Sequence, residues 1–251
     1  MISKLKIPLI AAAVLALGII IYPYPPRVNG NALLHKVLLA QRSVEYTAVQ
    51  EHTSVMLGSN IRSTIHVKND CRTASTDAKL ESQIFRNYIP LVEGQYRIAG
   101  RDAWVLRLKP KLKHMPWKQI WVDKTKFVVL ASRDWTAYNV IKRSMKTISI
   151  SFDSEPMRET NAERTNHIAK CDIPRPSYML HGFVPTSADK GTLVYSDGLY
   201  TITITTSDKS ACRKNKALDW GQGTIYSTGR YTVVADLPAD MIERIARSIT
   251  P

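Results

Sequence analysis

Apolar residues after position 28 recur with the period of an amphipathic helix. The stripe follows one face at 3.6 residues per turn and is formed by Leu33, Leu34, Val37, Leu38 and Gln41. Asn29 or Asn31 could accept hydrogen bonds from the first helical N–H groups. The pattern therefore predicts a helix over residues 29–42.

From residue 44 onward the period changes to two, and β-branched and aromatic residues become frequent. Strands are predicted over residues 44–56, 61–68, 102–110, 118–122, 127–133 and 144–152. In the third of these, Trp104, Leu106 and Leu108 share one face, while Val105, Arg107 and Lys109 share the other. Residues 68–87 receive no assignment. A helix followed by antiparallel strands predicts an α+β fold with a curved sheet.

The C-terminal part begins a second β pattern after a polar, proline-containing stretch over residues 153–176, which we interpret as a linker. Asp197 and Gly198 lie between two alternating segments, a strong hairpin signal. A second hairpin is predicted to join residues 225–226 to residues 231–234.

A helix is predicted at the end of the chain. Its apolar stripe consists of Ile242, Ile245, Ala246 and Ile249. Pro238 suits the first turn of this helix, and Asp236 is its predicted cap.

The first 26 residues combine a short basic start with an uncharged apolar run over residues 7–22. That order is typical of a secretory signal or signal-anchor. Residues 19–23 (Ile-Ile-Ile-Tyr-Pro) lack the small side chains that signal peptidase requires, which favours an uncleaved anchor formed by residues 5–24. We therefore expect an exported protein of the periplasm or cell envelope, anchored to the inner membrane.

The chain is strongly basic, with 35 Lys and Arg against 21 Asp and Glu and a formal net charge of +14. An exported protein meets little nucleic acid, so we expect no nucleic-acid partner. An anionic membrane surface, a lipid headgroup or an acidic protein segment is expected instead. The alternative is that the charge only maintains solubility.

Basic residues are concentrated between positions 101 and 126, interleaved with Trp104, Trp117 and Trp121. Tryptophan beside lysine is typical of an interfacial site. The predicted lipid-cavity or interface residues are Trp104, Leu106, Leu108, Trp121, Arg107, Lys109 and Lys111. The alternative is that the lysines form the solvated face of a half-buried sheet and the tryptophans its core, and this alternative is favoured for Trp104.

Motifs for catalysis or metal binding are missing from the sequence. It contains no H-E-x-x-H, no nucleophile elbow, no phosphate loop and no C-x-x-C pair. We therefore predict a binding protein rather than an enzyme, without cofactor or metal. One disulfide could form among Cys71, Cys171 and Cys212, and all three pairings remain open.

Several motifs resemble those of the MucB/RseB sigma-E regulatory proteins. In the first part these are Gly100-Arg101-x-Ala103-x-x-Leu106-x-Leu108-x-Pro110, Trp121-Val122-Asp123 and Val128-x-Leu130. In the second part they are Tyr195-Ser196-Asp197-Gly198-Leu199 and Tyr231-Thr232-Val233-Val234-x-x-Leu237-Pro238. The first domain of that family is similar to the LolA/LolB lipoprotein carriers.

The resemblance implies an open antiparallel β-barrel or curved sheet wrapped on a helix, followed by a smaller α/β domain. The implied divisions are a signal or anchor over 1–26, a LolA-like domain over 27–155, a linker over 156–176 and a second domain over 177–251. The implied function is binding of the periplasmic part of an anti-sigma factor, with release by lipid or a lipopolysaccharide-like amphiphile. The alternative function is a LolA-like carrier of lipid or lipoprotein.

Overall fold

The computed structural model describes residues 28–56, 59–69, 78–152, 173–189, 191–206, 218–219, 224–228 and 230–249. These residues form two antiparallel sheets and three helices. The predicted anchor over residues 5–24, the three cysteines and most of the predicted linker over residues 156–176 lie outside the described residues.

The first sheet has seven strands in the order β2-β1-β7-β6-β5-β4-β3. Their bounds are β1 Tyr46–Met56, β2 Ser59–Asn69, β3 Tyr88–Ile98, β4 Arg101–Pro110, β5 Trp117–Asp123, β6 Val129–Trp135 and β7 Ile141–Phe152. The described strands β2 and β3 end the sheet without pairing with each other, so the sheet is open rather than a closed barrel.

Helix α1, Gly30–Ser43, precedes this sheet and begins as predicted. The side chain of Asn29 accepts hydrogen bonds from the N–H groups of Asn31 (2.9 Å) and Ala32 (3.2 Å). The predicted apolar stripe is buried in one core cluster with Leu106 and Leu108. Gln41, however, is exposed, so its predicted place on the buried face is wrong.

Helix α2, Ala78–Asn87, is an element that the sequence pattern did not reveal. It lies between β2 and β3 and buries Gln83 and Ile84. The ring of Phe85 stacks on His35 of α1, with 4.2 Å between the ring centroids.

The second sheet has six strands in the order β11-β12-β13-β10-β9-β8. Their bounds are β8 Val184–Asp189, β9 Thr192–Ser196, β10 Thr201–Thr206, β11 Leu218–Asp219, β12 Thr224–Ser227 and β13 Tyr231–Ala235. Both predicted hairpins are present, as the pairs β9–β10 and β12–β13. Every described pair is antiparallel, so this part is α+β, and the expected α/β arrangement is wrong.

Helix α3, Ala239–Arg247, is the last described element and packs on the second sheet through Ile242, Ile245 and Ala246. Pro238 occupies the N-cap position, and no side chain caps the helix. The predicted cap Asp236 instead forms ion pairs with Lys142 and Arg143 of the first sheet. The Asp236 carboxylate, which the local sequence predicted as the cap of α3, therefore pairs with cations on β7 instead.

Asp123 fixes the turn between β5 and β6. Its buried carboxylate accepts hydrogen bonds from the N–H groups of Thr125 (2.8 Å) and Lys126 (2.6 Å), and it pairs with Arg101. Burial disfavours the charged form, but the hydrogen bonds from Arg101 and the two N–H groups outweigh it and lower the pKa of Asp123.

We expect Asp123→Asn to lower the free energy of unfolding by about 1–2 kcal/mol at neutral pH, because the charge-assisted bond to Arg101 is lost. The contribution of a carboxylate with a lowered pKa is present above the unfolded value of about 3.9 and disappears as the pH falls. Chemical denaturation at neutral and acidic pH measures both effects, with exposed Asp102→Asn as the control. An equal loss at both pH values would contradict this account.

Candidate functional site

A basic groove lies at the end of β4 and in the loop that leads to β5. Its volume is about 430 Å³, and it is lined by Arg107, Lys109, Pro110, Lys111, Leu112, Lys113, His114, Met115, Trp117 and Asn139. The N–H of Lys111 donates to the carbonyl of Asn87 (2.9 Å), and Lys111 Nζ donates to the carbonyl of Phe85 (3.0 Å). The end of α2 thus holds the loop in place.

Among the residues that the structure describes, most charges of this groove have no ion-pair partner. Arg107 pairs with Glu93 at 2.7 Å, and its guanidinium lies 4.6 Å from the ring centroid of Trp117. Lys109, Lys111 and Lys113 are exposed. A concave surface with several cations and one paired carboxylate attracts anionic groups.

A stacked tryptophan pair separates the groove from a second cavity. Trp117 on β5 lies opposite Trp135 on β6, with centroids 4.7 Å apart and planes 4° from parallel. The indole N–H of Trp117 donates to Asn139 Oδ1 at 3.0 Å. Because Trp117 lines the groove and Trp135 the second cavity, the two spaces share this wall.

The second space, which we name the junction cavity, lies between the two sheets and has a volume of about 280 Å³. The first sheet and its β6–β7 turn contribute Asp134, Trp135, Thr136, Ala137, Tyr138 and Lys142, and the preceding loop contributes Pro116. The second part contributes Tyr200, Thr224, Asp236, Leu237, Pro238 and Ala239. The cavity exists only where the two parts of the chain meet.

Ion pairs cross this junction beside the cavity. Asp236 on the second part pairs with Lys142 Nζ (2.6 Å) and with Arg143, both on β7. Arg143 Nε also lies 3.2 Å from Asp134, which pairs with Lys118 at 3.0 Å. The carboxylates lining the cavity are therefore already matched by cations of the protein.

A buried contact on the other side of the junction joins the hairpin loop of β9–β10 to the start of β3. Tyr88 Oη donates to Asp197 Oδ2 at 2.6 Å, and Asn87 Nδ2 donates to the carbonyls of Gly182 (3.0 Å) and Asp197 (2.9 Å). Burial raises the pKa of Asp197, and burial together with the nearby carboxylate raises the pKa of Tyr88. The two parts of the chain are thus joined by a polar contact whose Tyr88–Asp197 hydrogen bond is buried.

The seven predicted site residues are divided among three environments. Leu106 and Leu108 are fully buried in the core cluster that contains the apolar face of α1. Half-buried Trp104 packs against the same cluster beneath Lys124. Trp121 is buried in a separate cluster with Arg133 above its ring. Arg107, Lys109 and Lys111 line the basic groove together. A binding role for these seven residues stays a prediction.

Other residues of the groove and cavity were not among the predicted site residues. Lys113 and Trp117 belong to the same basic block and could have been chosen from their spacing. Trp135, Lys142, Tyr200 and Asp236 come from distant segments, and no local pattern links them.

Neither a metal site nor a membrane helix is evident in the described part of the chain. The described residues include no group of three or more His, Cys, Asp or Glu side chains able to hold a metal ion. None of the three described helices is long and apolar enough to cross a bilayer.

Comparison with protein-family models gives no match, and comparison with curated protein sequences gives none. Solved structures do match. A chain of the Pseudomonas aeruginosa MucA/MucB complex has a TM-score of 0.61 and 17% identity, covering 89% of this chain and 99% of that one. MucB in complex with MucA(peri) has a TM-score of 0.60 and 18% identity, covering 88% of this chain and 98% of that one. MucB alone has a TM-score of 0.58 and 17% identity, with the same two coverages. The structure therefore confirms the resemblance to MucB/RseB proteins at the level of the fold: this chain has the fold of MucB.

Proposed function

We propose that this protein is an envelope regulator that binds the extracytoplasmic part of a membrane-spanning anti-sigma factor. The observation that carries the proposal is the match of both sheets to MucB, including MucB chains solved with MucA and with MucA(peri). A fold alone does not determine a function, so the proposal also depends on the groove and cavity of this chain. Export to the periplasm is part of the proposal.

The basic groove is the surface that we assign to the partner. Its exposed lysines would attract an acidic segment, accelerate the encounter and orient the segment along the end of β4. The stacked tryptophan pair continues from the groove to the junction cavity, which provides aromatic surface for an apolar residue in the same segment.

An amphiphile could compete for the same groove. Leu112 is 40% exposed, and Trp117 lies beside Arg107, so apolar surface and positive charge occur together. An anionic headgroup would pair with the lysines while its acyl part covers Leu112 and Trp117. Occupancy by lipid would then displace the partner segment, which is the regulatory step that we propose.

A simple lipid or lipoprotein carrier is less well supported. A carrier requires an apolar cavity between the helix and the sheet, but Leu106 and Leu108 pack there in the same core cluster as the α1 side chains. The second sheet and its junction with the first would also have no role in carriage alone.

Crosslinking of the tagged full chain in intact cells, followed by mass spectrometry of protein and lipid, tests the proposal. Recovery of a single-pass membrane protein with a sigma-binding cytoplasmic end would support it and supply the partner. Recovery of lipids or lipoproteins without such a protein would favour the carrier instead.

We expect Lys109→Glu with Lys113→Glu to weaken binding of the recovered partner's extracytoplasmic segment by about 10-fold or more at low salt. The physical reason is that the reversal replaces attraction by repulsion across the groove. The difference from wild type should shrink at high salt because exposed charges are screened. Isothermal titration calorimetry measures the affinity.

The matched control is Arg62→Glu with Lys68→Glu, which reverses two exposed charges on β2, away from the groove. Equal weakening by both double variants would assign the effect to overall net charge and remove the groove from the proposal.

A further inference from the structure

Exposed apolar side chains border the basic groove and lie on three elements of the first sheet. The β6–β7 turn carries the most exposed of them, Tyr138 at 72% and Val140 at 58%. Single exposed apolar residues are ordinary on a protein surface, whereas a group of them around one site marks an interaction surface. We name this group the apolar rim, which consists of Ile89, Leu91, Leu112, Tyr138 and Val140.

Hydrogen bonds hold the β6–β7 turn beside the groove. Thr136 Oγ1 accepts from the N–H groups of Tyr138 (3.3 Å) and Val140 (3.2 Å), and the N–H of Thr136 donates to the carbonyl of Val140 (2.8 Å). Between the two rim residues, Asn139 Oδ1 accepts from the indole N–H of Trp117 on the groove wall. The turn therefore presents two apolar side chains to solvent at a fixed place next to the groove.

Two rim residues on β3 extend the surface on the other side of the groove. Ile89 pairs with Lys109, and Leu91 pairs with Arg107, across the β3–β4 ladder. Directly opposite residues project from the same face of a sheet, so each of these apolar side chains lies next to a cation of the groove. Strands β4 and β5 separate β3 from β6, which makes the surface about 14 Å wide across the strands.

The charge of this surface has one sign. The described residues that line the groove include Lys109, Lys111 and Lys113 but no Asp or Glu, and the turn over residues 136–140 is uncharged. Cations beside exposed aliphatic and tyrosine side chains match the boundary of an anionic bilayer, where phosphate groups lie next to acyl chains. An acidic protein segment would cover the groove but leave apolar side chains exposed on both sides of it.

The described chain begins next to the same surface. Gly30, the first residue of α1, packs so closely on β3 that a Cβ atom there would overlap the carbonyl oxygen of Pro90, which lies between two rim residues. Residues 23–27 alone separate Val28 from the uncharged apolar run over residues 7–22, and they cannot span more than about 20 Å. A membrane that holds this predicted anchor therefore lies within reach of the rim on β3.

We propose that the apolar rim and the three groove lysines dock on the surface of an anionic lipid bilayer. The rim side chains lie among the lipid headgroups, and the lysines pair with lipid phosphates. Docking requires no anti-sigma factor, so it goes beyond the proposed function. Because both interactions use the same lysines, a docked chain excludes a partner segment from the groove.

Hydrogen–deuterium exchange of the full chain reconstituted in vesicles tests the docking. Vesicles of phosphatidylcholine are compared with vesicles of phosphatidylcholine and phosphatidylglycerol at about 7:3, so that the bilayer differs only in its charge. We expect the amides of residues 111–114 and 136–140 to exchange about 10-fold more slowly in the anionic vesicles, because the attractions of several lysines add. Residues 61–66 of β2 are the internal control, since they are also exposed but lie at the opposite edge of the sheet. Equal exchange in both kinds of vesicle, or equal slowing on β2, would overturn the proposal.

Tyr138→Ser with Val140→Ser removes the most exposed part of the rim. We expect the slowing at residues 111–114 to fall from about 10-fold to about 2-fold, because the apolar surface that enters the headgroup region is lost. Tyr96→Ser with Ile148→Ser is the matched control, since it removes two apolar side chains of comparable exposure away from the groove, and it should keep the full slowing. Unchanged slowing in the first variant would contradict insertion of the rim.

Lys109→Gln with Lys113→Gln tests the contribution of charge. We expect this variant to retain no more than about 2-fold slowing in the anionic vesicles, because two of the three lysines near the lipid phosphates are lost. Arg62→Gln with Lys68→Gln removes two exposed cations of β2 and should keep the slowing of the wild-type chain. Equal losses in the two variants would assign the effect to overall net charge and contradict a docking surface at the groove.

Failure of the docking is distinguishable from failure of the proposed function. If the anionic vesicles cause no slowing, but the recovered partner's segment causes it in phosphatidylcholine vesicles, the surface binds protein, the docking is wrong and the proposed function stands. If the anionic vesicles cause the expected slowing while no anti-sigma segment is recovered, the docking stands and the proposed partner is wrong.

Discussion

Gly198→Ala is expected to lower the free energy of unfolding by about 3–5 kcal/mol, the largest effect that we predict for a single methyl group. Gly198 lies in the hairpin loop of β9–β10 with φ +103°, a conformation that L side chains rarely adopt. A Cβ atom there would lie 2.6 Å from Ile84 Cγ1, 2.8 Å from Ile84 N and 2.8 Å from the carbonyl oxygen of Leu80. Two of these atoms belong to the backbone of α2 and cannot rotate away, so the loop must separate from the helix.

Gly100→Ala provides the control for the backbone part of this cost. Gly100 has φ +74°, and a Cβ atom there would meet nothing within 4 Å. The free energy of unfolding of the Gly100→Ala variant should therefore fall by only about 1 kcal/mol, from conformational strain. Equal losses in thermal or chemical denaturation of the two variants would show that contact between the hairpin loop and α2 does not contribute to stability.

Asp197→Ala is expected to lower the free energy of unfolding by about 2–4 kcal/mol. The carboxylate accepts hydrogen bonds from the N–H groups of Leu199 (2.9 Å) and Tyr200 (2.8 Å) and from Tyr88 Oη (2.6 Å). The alanine variant leaves these donors buried without an acceptor, and it removes a contact between the two parts of the chain.

Asp197→Asn is the informative comparison, because the amide oxygen can still accept from the two N–H groups of the loop. We expect the free energy of unfolding to fall much less in this variant than in Asp197→Ala. Together with Tyr88→Phe it forms a double-mutant cycle, whose interaction free energy measures the buried contact itself. A cycle that closes without interaction would mean that the contact adds nothing to stability.

The pH dependence of the free energy of unfolding gives a second test of the contribution of Asp197. Because burial raises its pKa, the folded state holds the proton more tightly than the unfolded state, where the pKa is about 3.9. The resulting stability is fully present below the unfolded value and is lost as the pH rises through the folded value. The stability of Asp197→Asn relative to wild type should therefore improve as the pH rises through that window, a trend opposite in sign to the one expected at Asp123.

Local patterns were sufficient for elements whose burial follows one simple period. The face of α1, the two hairpins of the second sheet and the stripe of α3 were all predicted, because each repeats at 3.6 or two residues with a turn signal beside it. Helix α2, which lies within the unassigned residues 68–87, was missed because its short stretch mixes charged and apolar residues. Its position depends on contacts with α1 and with the hairpin loop of β9–β10.

The same distinction holds for the groove, whose residues are concentrated in one stretch of sequence, and for the cavity, whose residues come from distant segments. The sequence alone showed the concentration of lysine, arginine and tryptophan between residues 101 and 126, because those residues are neighbours along the chain. It also determined the MucB-like order of elements, which the solved structures match. Only the tertiary structure brought Trp135 and Tyr200 to one cavity and turned Asp236 away from its helix toward β7. The physical reason is that pairing of charges and burial of hydroxyl groups depend on which surfaces meet, and residues separated by dozens of positions meet only after both sheets have formed.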